Sequence, residues 1–314
     1  MIVVTGGSGF IGSNLVEALN AEGEEGILIV DRPGANSRNL SDLRFSDLMQ
    51  PEDFRNRIEN GPFLGSITAI YHQGACADTT CSDEHYMMEN NFAFSKAVLH
   101  FALERKIPLV YASSASVYGI SHDSRESPAN ERPLNLYAQS KLAFDNYFRG
   151  LMGRAESTVV GLRYFNVYGP RERYKGRMAS MVYQLFKQVQ GSGIAKLFEG
   201  SDGYEPGEQR RDFGFVGDVV RINLFFAGLA KVTRGIFNLG TGTSRTFNDV
   251  ARTVINHLGK GKIEYIPFPD ELKEKYQSFT QANVTELRSA LGSAALTSIE
   301  DGIAESARAW IEEP

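Results

Sequence analysis

The sequence predicts a doubly wound α/β fold: a parallel sheet with helices on both faces, and a smaller, interleaved C-terminal lobe. Three observations predict it. Short apolar runs alternate with helical patterns through the first half, a glycine-rich turn follows the first run directly, and the texture changes near residue 170. Crossover helices cover both faces of a parallel sheet, so its strands read as continuous apolar runs.

The runs 2–5 (IVVT), 27–31 (ILIVD), 67–72 (ITAIYH), 107–112 (IPLVYA) and 158–164 (TVVGLRY) read as buried strands. Stretches 12–21 and 87–105 between them are helix-like. Beyond 170, residues 171–177 (RERYKGR) are polar and basic, and 199–211 (EGSDGYEPGEQRR) are rich in glycine and charge, as loops are. The last third mixes a helix at 246–258 with strands at 235–239 and 263–266. The expected division is a sheet domain over 1–170, with segments returning to it near 212–240, and a lobe made mainly of 171–314.

At 314 residues the chain is long enough for this arrangement, and 42% hydrophobic with 23% charged residues is an ordinary globular balance. The net charge of -5 argues against nucleic acid as a partner, because phosphate-backbone binding needs a basic face. Two cysteines, Cys76 and Cys81, form no disulfide framework, and no His or further Cys sits at a zinc spacing. They are read as structural thiols in a reducing compartment, with no metal. The N-terminus enters a strand without a basic leader, and no apolar run approaches the ~20 residues of a membrane span. A cytoplasmic protein without membrane contact is expected.

Residues 5–12 read Thr-Gly-Gly-Ser-Gly-Phe-Ile-Gly, with Gly6, Gly9 and Gly12 at three-residue spacing between a strand and a helix. Glycine permits the tight turn and close backbone approach, and a helix N-terminus offers free N–H groups to a pyrophosphate. Asp31 ends the second strand and suits the carboxylate that binds ribose hydroxyls. Together these predict a dinucleotide site of the Rossmann type. Asp31 favours NAD, whereas Arg32 and Arg38 could neutralise a 2′-phosphate. The reading leans to NADP, with NAD as the alternative.

Residues 137–141 read Tyr-Ala-Gln-Ser-Lys on a helix whose buried stripe is read as Leu136, Ser140, Ala143, Phe144 and Tyr147. Tyr137 and Lys141 lie four apart on one face. A phenol with a pKa near ~10 is a poor base at neutral pH, and a nearby ammonium is expected to lower it. Such a pair serves proton transfer during oxidation of an alcohol. Ser114, following a strand at the sheet's C-terminal edge, is placed to hold the alcohol or carbonyl oxygen. His72, beside a strand run, reads as a packed, hydrogen-bonded histidine.

Glycine loop, serine strand end and Tyr137–Lys141, in this order, resemble the extended short-chain dehydrogenase/reductase superfamily, whose members mostly act on nucleotide sugars. The likeness includes Asn166-Val167-Tyr168-Gly169-Pro170-Arg171 and Arg211-Asp212-Phe213 followed by Val216-Gly217-Asp218. Segments 72–76 (HQGAC), 86–91 (YMMENN), 175–180 (KGRMAS), 265–269 (YIPFP) and 276–281 (YQSFTQ) resemble its branch of ADP-heptose 6-epimerases, which serve lipopolysaccharide inner-core synthesis.

The resemblance implies that Tyr137 is one acid/base and Lys175 the second, with Lys141 as cofactor-binding partner and Ser114 positioning the oxygen. Inversion at C6″ of an ADP-sugar would then pass through a transient 6″-ketone. It implies a cofactor side of Phe10, Ile11, Asp31, Arg32, Arg38, Gln73, Gly74, Ala75, Cys76, Ala77, Asn90, Val167 and Lys175. It implies a substrate side of Asn166, Arg177, Gln184, Phe198, Glu199, Gly200, Ser201, Arg211 and Tyr276, and a homo-oligomer, a pentamer in this branch. A lysine so used needs a lowered pKa, from desolvation or from a cation such as Arg171 or Arg173. The chain departs from the branch in three places: Arg38 stands nearest a missing lysine, Pro51 replaces another, and 202–210 is longer. A hexose 4-epimerase or a non-catalytic nucleotide sensor would share the cofactor site. A 4,6-dehydratase places acids beside the serine, where this chain has Ala115 and Ser116.

Overall fold

The structure, a computed structural model, describes residues 1–61, 65–269, 276–292 and 295–312. The first half winds β1 (Ile2–Thr5), α1 (Phe10–Ala21), β2 (Ile27–Val30), β3 (Asp47–Met49), α2 (Pro51–Asn60), β4 (Ala69–His72), α3 (Glu84–Met87), α4 (Phe94–Arg105), β5 (Leu109–Ser114), α5 (Leu136–Leu151) and β6 (Val159–Tyr164). The second half adds α6 (Met181–Ser192), β7 (Ile194–Phe198), β8 (Arg210–Arg211), α7 (Val216–Ala227), β9 (Arg234–Leu239), β10 (Arg245–Thr246), α8 (Phe247–Leu258), β11 (Lys262–Ile266), α9 (Thr285–Leu291) and α10 (Ile299–Glu312).

Seven strands form one sheet in the order β3-β2-β1-β4-β5-β6-β9, and every pairing in it is parallel. Its central strands β1, β2 and β4 are buried at every residue, as their apolar sequences require. The strand order reverses between β1 and β4, and open α/β sheets bind ligands in the crevice at such a switch point. Two small sheets stand apart from it: β11 with β7, parallel, and β10 with β8, antiparallel. Among the described residues no helix is long and apolar enough to cross a membrane.

Three elements differ from the expectation. The strand placed at 107–112 runs over Leu109–Ser114, so Ser113 and Ser114 belong to the strand and do not follow it. The helix expected over 87–105 is interrupted by a π-helical turn at Met88–Ala93. Such single-turn widenings often mark functional positions. Here it turns the Asn91 amide towards the sheet: Cys76 N–H donates to Oδ1 at 2.7 Å, and Nδ2 donates to Cys76 O at 2.9 Å and Ser140 Oγ at 3.0 Å. The buried stripe of α5 is Ala138, Ser140, Lys141, Phe144, Asp145 and Phe148, and Leu136, Ala143 and Tyr147 lie at its half-buried flank. The stripe turned because buried polar groups, which an apolar pattern cannot register, hold that helix.

Candidate active site

The glycine turn shapes the first half of the site. Gly6 has φ +67°, and a Cβ there would meet Gly74 N at 2.7 Å. A Cβ at Gly12 would meet Gly6 O at 2.1 Å. Both positions therefore require glycine, and the turn brings the ends of β1 and β4 together. No side chain caps α1. Its first N–H groups, which have no intrahelical acceptor, are left for an anion. A groove of about 530 Å³ runs from this turn past Phe10, Ile11, Asp31, Gln73, Gly74, Ala75 and Ala77 to Ser114, Tyr137, Lys141, Val167 and Lys175.

Asp31 accepts from the Ser8 backbone at 2.9 Å, from Ser8 Oγ, and from Arg32 N at 2.8 Å. Arg32 donates to Glu52 and to Asn90 Oδ1, and Arg38 is exposed, 5.9 Å from the Tyr174 ring centre. Cys76 and Asn90 line the end of the groove beside Asp31 and Arg32. Gln73 donates to Asn223 Oδ1 and accepts from Tyr164 OH, which fixes its side chain in the groove. Tyr164 and Asn223 are contributors that the sequence reading missed. His72 is packed as expected, between Thr5 Oγ1 at 2.7 Å and Ser95 Oγ at 2.8 Å, and burial pushes its pKa down to about 3.

Ser114, Tyr137 and Lys141 converge at the groove's inner end. Asn135 caps α5 by accepting from Ala138 N at 2.8 Å, which sets the first turn that carries Tyr137. Lys141 Nζ donates to Ala112 O at 2.8 Å and lies 6.0 Å from the Tyr137 ring centre. Burial pushes the ammonium down to about 8, opposed by the Asp145 carboxylate one turn on. Tyr137 is pushed up by burial, opposed by its hydrogen bond with Ser114. The expected lowering of the phenol by Lys141 is therefore absent here, because the ammonium spends its contact on a backbone carbonyl.

Lys141 gives a pH prediction. Its folded pKa lies below the usual lysine value, so in the free protein the cation is lost as pH rises through about 8. A bound dinucleotide that needs the charge should then weaken by about tenfold per pH unit above that point. Titration calorimetry between pH 7 and 9.5 checks this, and a flat affinity removes Lys141 from cofactor binding.

A second cavity, of about 410 Å³, opens from the same point and shares Ala77, Ser114, Tyr137, Val167, Met178 and Lys175 with the groove. Its far wall is Asn166, Phe198, Gln209, Arg211, Phe213, Phe247 and Tyr276. Lys175 hangs with Nζ 5.2 Å from the Phe10 ring centre, and desolvation lowers its pKa against the pull of Glu172. Burial does this, not a neighbouring cation; Arg171 is engaged by Glu17 and Asp42. Arg211 is buried with its guanidinium between Phe247 and Tyr276, 5.7 Å and 4.9 Å from the ring centres. Among the described residues no carboxylate pairs with it, and burial lowers its pKa. A desolvated guanidinium facing a cavity is a ready partner for phosphate.

Five residues assigned to substrate by resemblance stand outside this cavity. Arg177 is exposed and donates to Asp78 at 3.4 Å and Thr80 at 3.1 Å. Gln184 donates to Gly176 O at 3.0 Å and braces the Lys175 turn. Glu199 and Gly200 are exposed, and Ser201 contacts Gln209 and Ser278. The long loop is anchored by Gly207 N to Phe198 O at 3.1 Å.

Beneath the site lies a buried polar network that the sequence reading also missed. Arg163 is fully buried on β6. It donates to Asp145 at 2.9 Å, Glu131 at 2.6 Å and Tyr118 OH at 2.9 Å. Tyr111 and Ser113 on β5 donate to the same Asp145 at 3.0 Å and 2.9 Å. The helix that carries Tyr137 and Lys141 is thereby bonded to the two strands below it.

A nicotinamide dinucleotide fits the groove, and the serine, phenol and ammonium at its inner end suit proton movement on an alcohol oxygen. The fold and the site thus define a dinucleotide-dependent enzyme that works on a hydroxyl-bearing carbon. The chain belongs to the NAD dependent epimerase/dehydratase family, whose model matches residues 2–240. It is 51% identical over 305 residues, 96% of this chain and 95% of the relative, to the ADP-L-glycero-D-manno-heptose-6-epimerase of Alkalilimnicola ehrlichii. The crystal structure of the Helicobacter pylori enzyme of that name superposes with a TM-score of 0.85 at 31% identity, covering 99% of this chain and 96% of that one. The Thermus thermophilus UDP-glucose 4-epimerase in complex with NAD gives 0.78 at 27%, covering 99% of each.

Proposed function

We propose that this chain inverts C6″ of ADP-D-glycero-D-manno-heptose to the L-glycero epimer, for the lipopolysaccharide inner core, through a transient 6″-ketone. The observation that carries the reading is that two proton carriers on different elements, Tyr137 on α5 and Lys175 on the turn after β6, line one cavity with Arg211 at its far wall. The identity to a curated heptose 6-epimerase supports the choice of sugar.

The residues of the groove would hold a nicotinamide beside Ser114 and Tyr137, where it would supply a reversible hydride acceptor for the carbon, so the net redox change would be zero. The chain's residues do the rest. Ser114 holds the reacting oxygen beside Tyr137. Tyr137 and Lys175 exchange the oxygen's proton from different sides, as opposite faces of one ketone demand. Arg211 and Tyr276 hold the ADP end, and Asn166, whose amide donates to Asp212 O at 2.9 Å, lines the same cavity. Lys141 holds the cofactor. The bound form is proposed to be NADP, kept through turnover, with Arg32 and Arg38 near its 2′-phosphate. Residues near 170 divide the cofactor half from the substrate half, and a cytoplasmic homo-oligomer, a pentamer, completes the reading.

The test is incubation of the purified protein with ADP-D-glycero-D-manno-heptose and anion-exchange separation of the products. Conversion without added cofactor is expected. No conversion with either NADP or NAD supplied would refute the heptose and turn attention to UDP-, GDP- and dTDP-sugars. Mass spectrometry of the extracted cofactor decides between NADP and NAD.

Arg211→Met should raise KM for the ADP-sugar by about 10- to 100-fold with a smaller effect on kcat, since a charge-assisted pair contributes ~1.5–3 kcal/mol. Steady-state kinetics separates the two, and an unchanged KM would take Arg211 out of phosphate binding.

A further inference from the structure

Glu172 is fully buried, and its carboxylate is held by backbone and hydroxyl donors. Oε1 accepts from Gly169 N at 3.0 Å and from Ser180 Oγ at 3.0 Å, and Oε2 accepts from Ser180 N at 2.7 Å. Gly169 precedes the turn that carries Lys175, and Ser180 ends it as the cap of α6. One carboxylate therefore ties both ends of this turn together. Lys175 N also donates to Glu172 O at 3.0 Å.

The geometry points to Glu172 as a positioning residue for the second proton carrier: its carboxylate fixes both ends of the Lys175 turn and sets a counter-charge at the root of that side chain. This rests on the proposed role of Lys175. Burial pushes the Glu172 carboxyl up to about 7, opposed by the three hydrogen bonds and by Lys175. Among the described residues, Glu172 is the carboxylate whose charge opposes the desolvation of Lys175. The other titratable groups around the ammonium are Tyr137 on α5, Arg211 and Tyr276 across the cavity, and Asp31, Asp78, Tyr164, Tyr174 and Lys141 along the groove. Arg171, next in sequence to Glu172, is turned away to Glu17 and Asp42.

The chemical consequence is a match between carrier and task. Desolvation alone disfavours the ammonium, which suits a lysine to taking a proton more than to giving one. Above about pH 7, where Glu172 is anionic, its charge at the root of the turn opposes that loss, and Lys175 can do both. Glu172 touches neither substrate nor cofactor; it acts through Lys175.

The experiment is competitive trace acetylation of the holoenzyme with acetic anhydride from pH 6 to 11, with the Lys175 and Lys141 peptides quantified by mass spectrometry. Glu172→Gln is expected to lower the Lys175 midpoint by at least about one pH unit, a tenfold change in the protonated fraction. Lys141, on α5, should keep its midpoint and serves as the check on folding. An unmoved Lys175 midpoint overturns the proposal. Should Glu172→Gln fail to fold, the coupling is read from the other side, because it is reciprocal. Lys175→Met leaves the clamp intact and should raise the Glu172 titration, followed by NMR of 13Cδ-labelled glutamate; no rise overturns the proposal as well. Neither readout involves turnover. If Lys175→Met still epimerises at the full rate, the two-carrier reading fails while the coupling can still hold.

Discussion

Tyr137→Phe should lower kcat for epimerisation by about 10²- to 10⁴-fold, the usual contribution of a positioned acid/base. KM and thermal stability should change little. The substitution removes one oxygen and keeps the ring, so the packing of α5 survives, and the Asn135 cap and the Lys141 bond to Ala112 are untouched. Only the hydroxyl that meets Ser114 is lost. Burial holds this phenol protonated in the free protein, so its work at neutral pH is to pass a proton along a hydrogen bond and not to stand as a free phenolate. Ser114→Ala should cost less, because it removes a partner of the oxygen but no proton carrier. Steady-state kinetics with chromatographic detection, alongside a melting curve, decides the matter. Wild-type kcat in Tyr137→Phe would place the proton transfer elsewhere and leave Tyr137 a packing residue.

The parts of the site legible in the sequence are those made by local geometry. A strand, three glycines and a helix are contiguous in residues 2–21, and the Gly6 and Gly12 contacts explain why no other residue type serves there. Tyr137 and Lys141 share a helix face, so spacing alone relates them. What joins distant segments left weaker marks. Lys175 and Arg211 were reached only through a resemblance, which also brought in Arg177 and Glu199, whose side chains the fold turns outwards. Asn91 was hidden by the π-helical turn, which shifts the face its helix presents and favours it over its neighbour Asn90. The network around Arg163 had a signal that apolar periodicity discards: a charged residue inside the run VVGLRY, and Asp145 four residues after Lys141. A charge in a strand buried on both faces needs a partner. Searching for that partner would have found the helix above it.

Arg163→Met should therefore be the most destabilising single change in the sheet, by about 3–5 kcal/mol, the cost of leaving buried charges without their partner. Methionine fills much of the volume but removes the guanidinium that joins the two carboxylates, leaving Asp145 to the hydroxyls of Tyr111 and Ser113 and Glu131 to Arg149. Tyr118 would lose its guanidinium donor while still bonded to Asn238 of β9, so the damage extends from α5 to the sheet's edge. The pH dependence separates charge from packing. Burial pushes Glu131 up, but Arg149 and Arg163 outweigh it and hold the carboxyl below its ordinary range. A lowered folded pKa contributes stability that is present above the unfolded value and lost as pH falls through the folded one. Without Arg163 that contribution shrinks. The gap between variant and wild type should be widest near neutral pH and narrow as acid neutralises Glu131. Urea unfolding at pH 7.5 and pH 5 measures it. A gap of the same size at both would mean that the loss is one of packing, and that Arg163 serves the core more than it serves the helix carrying Tyr137 and Lys141.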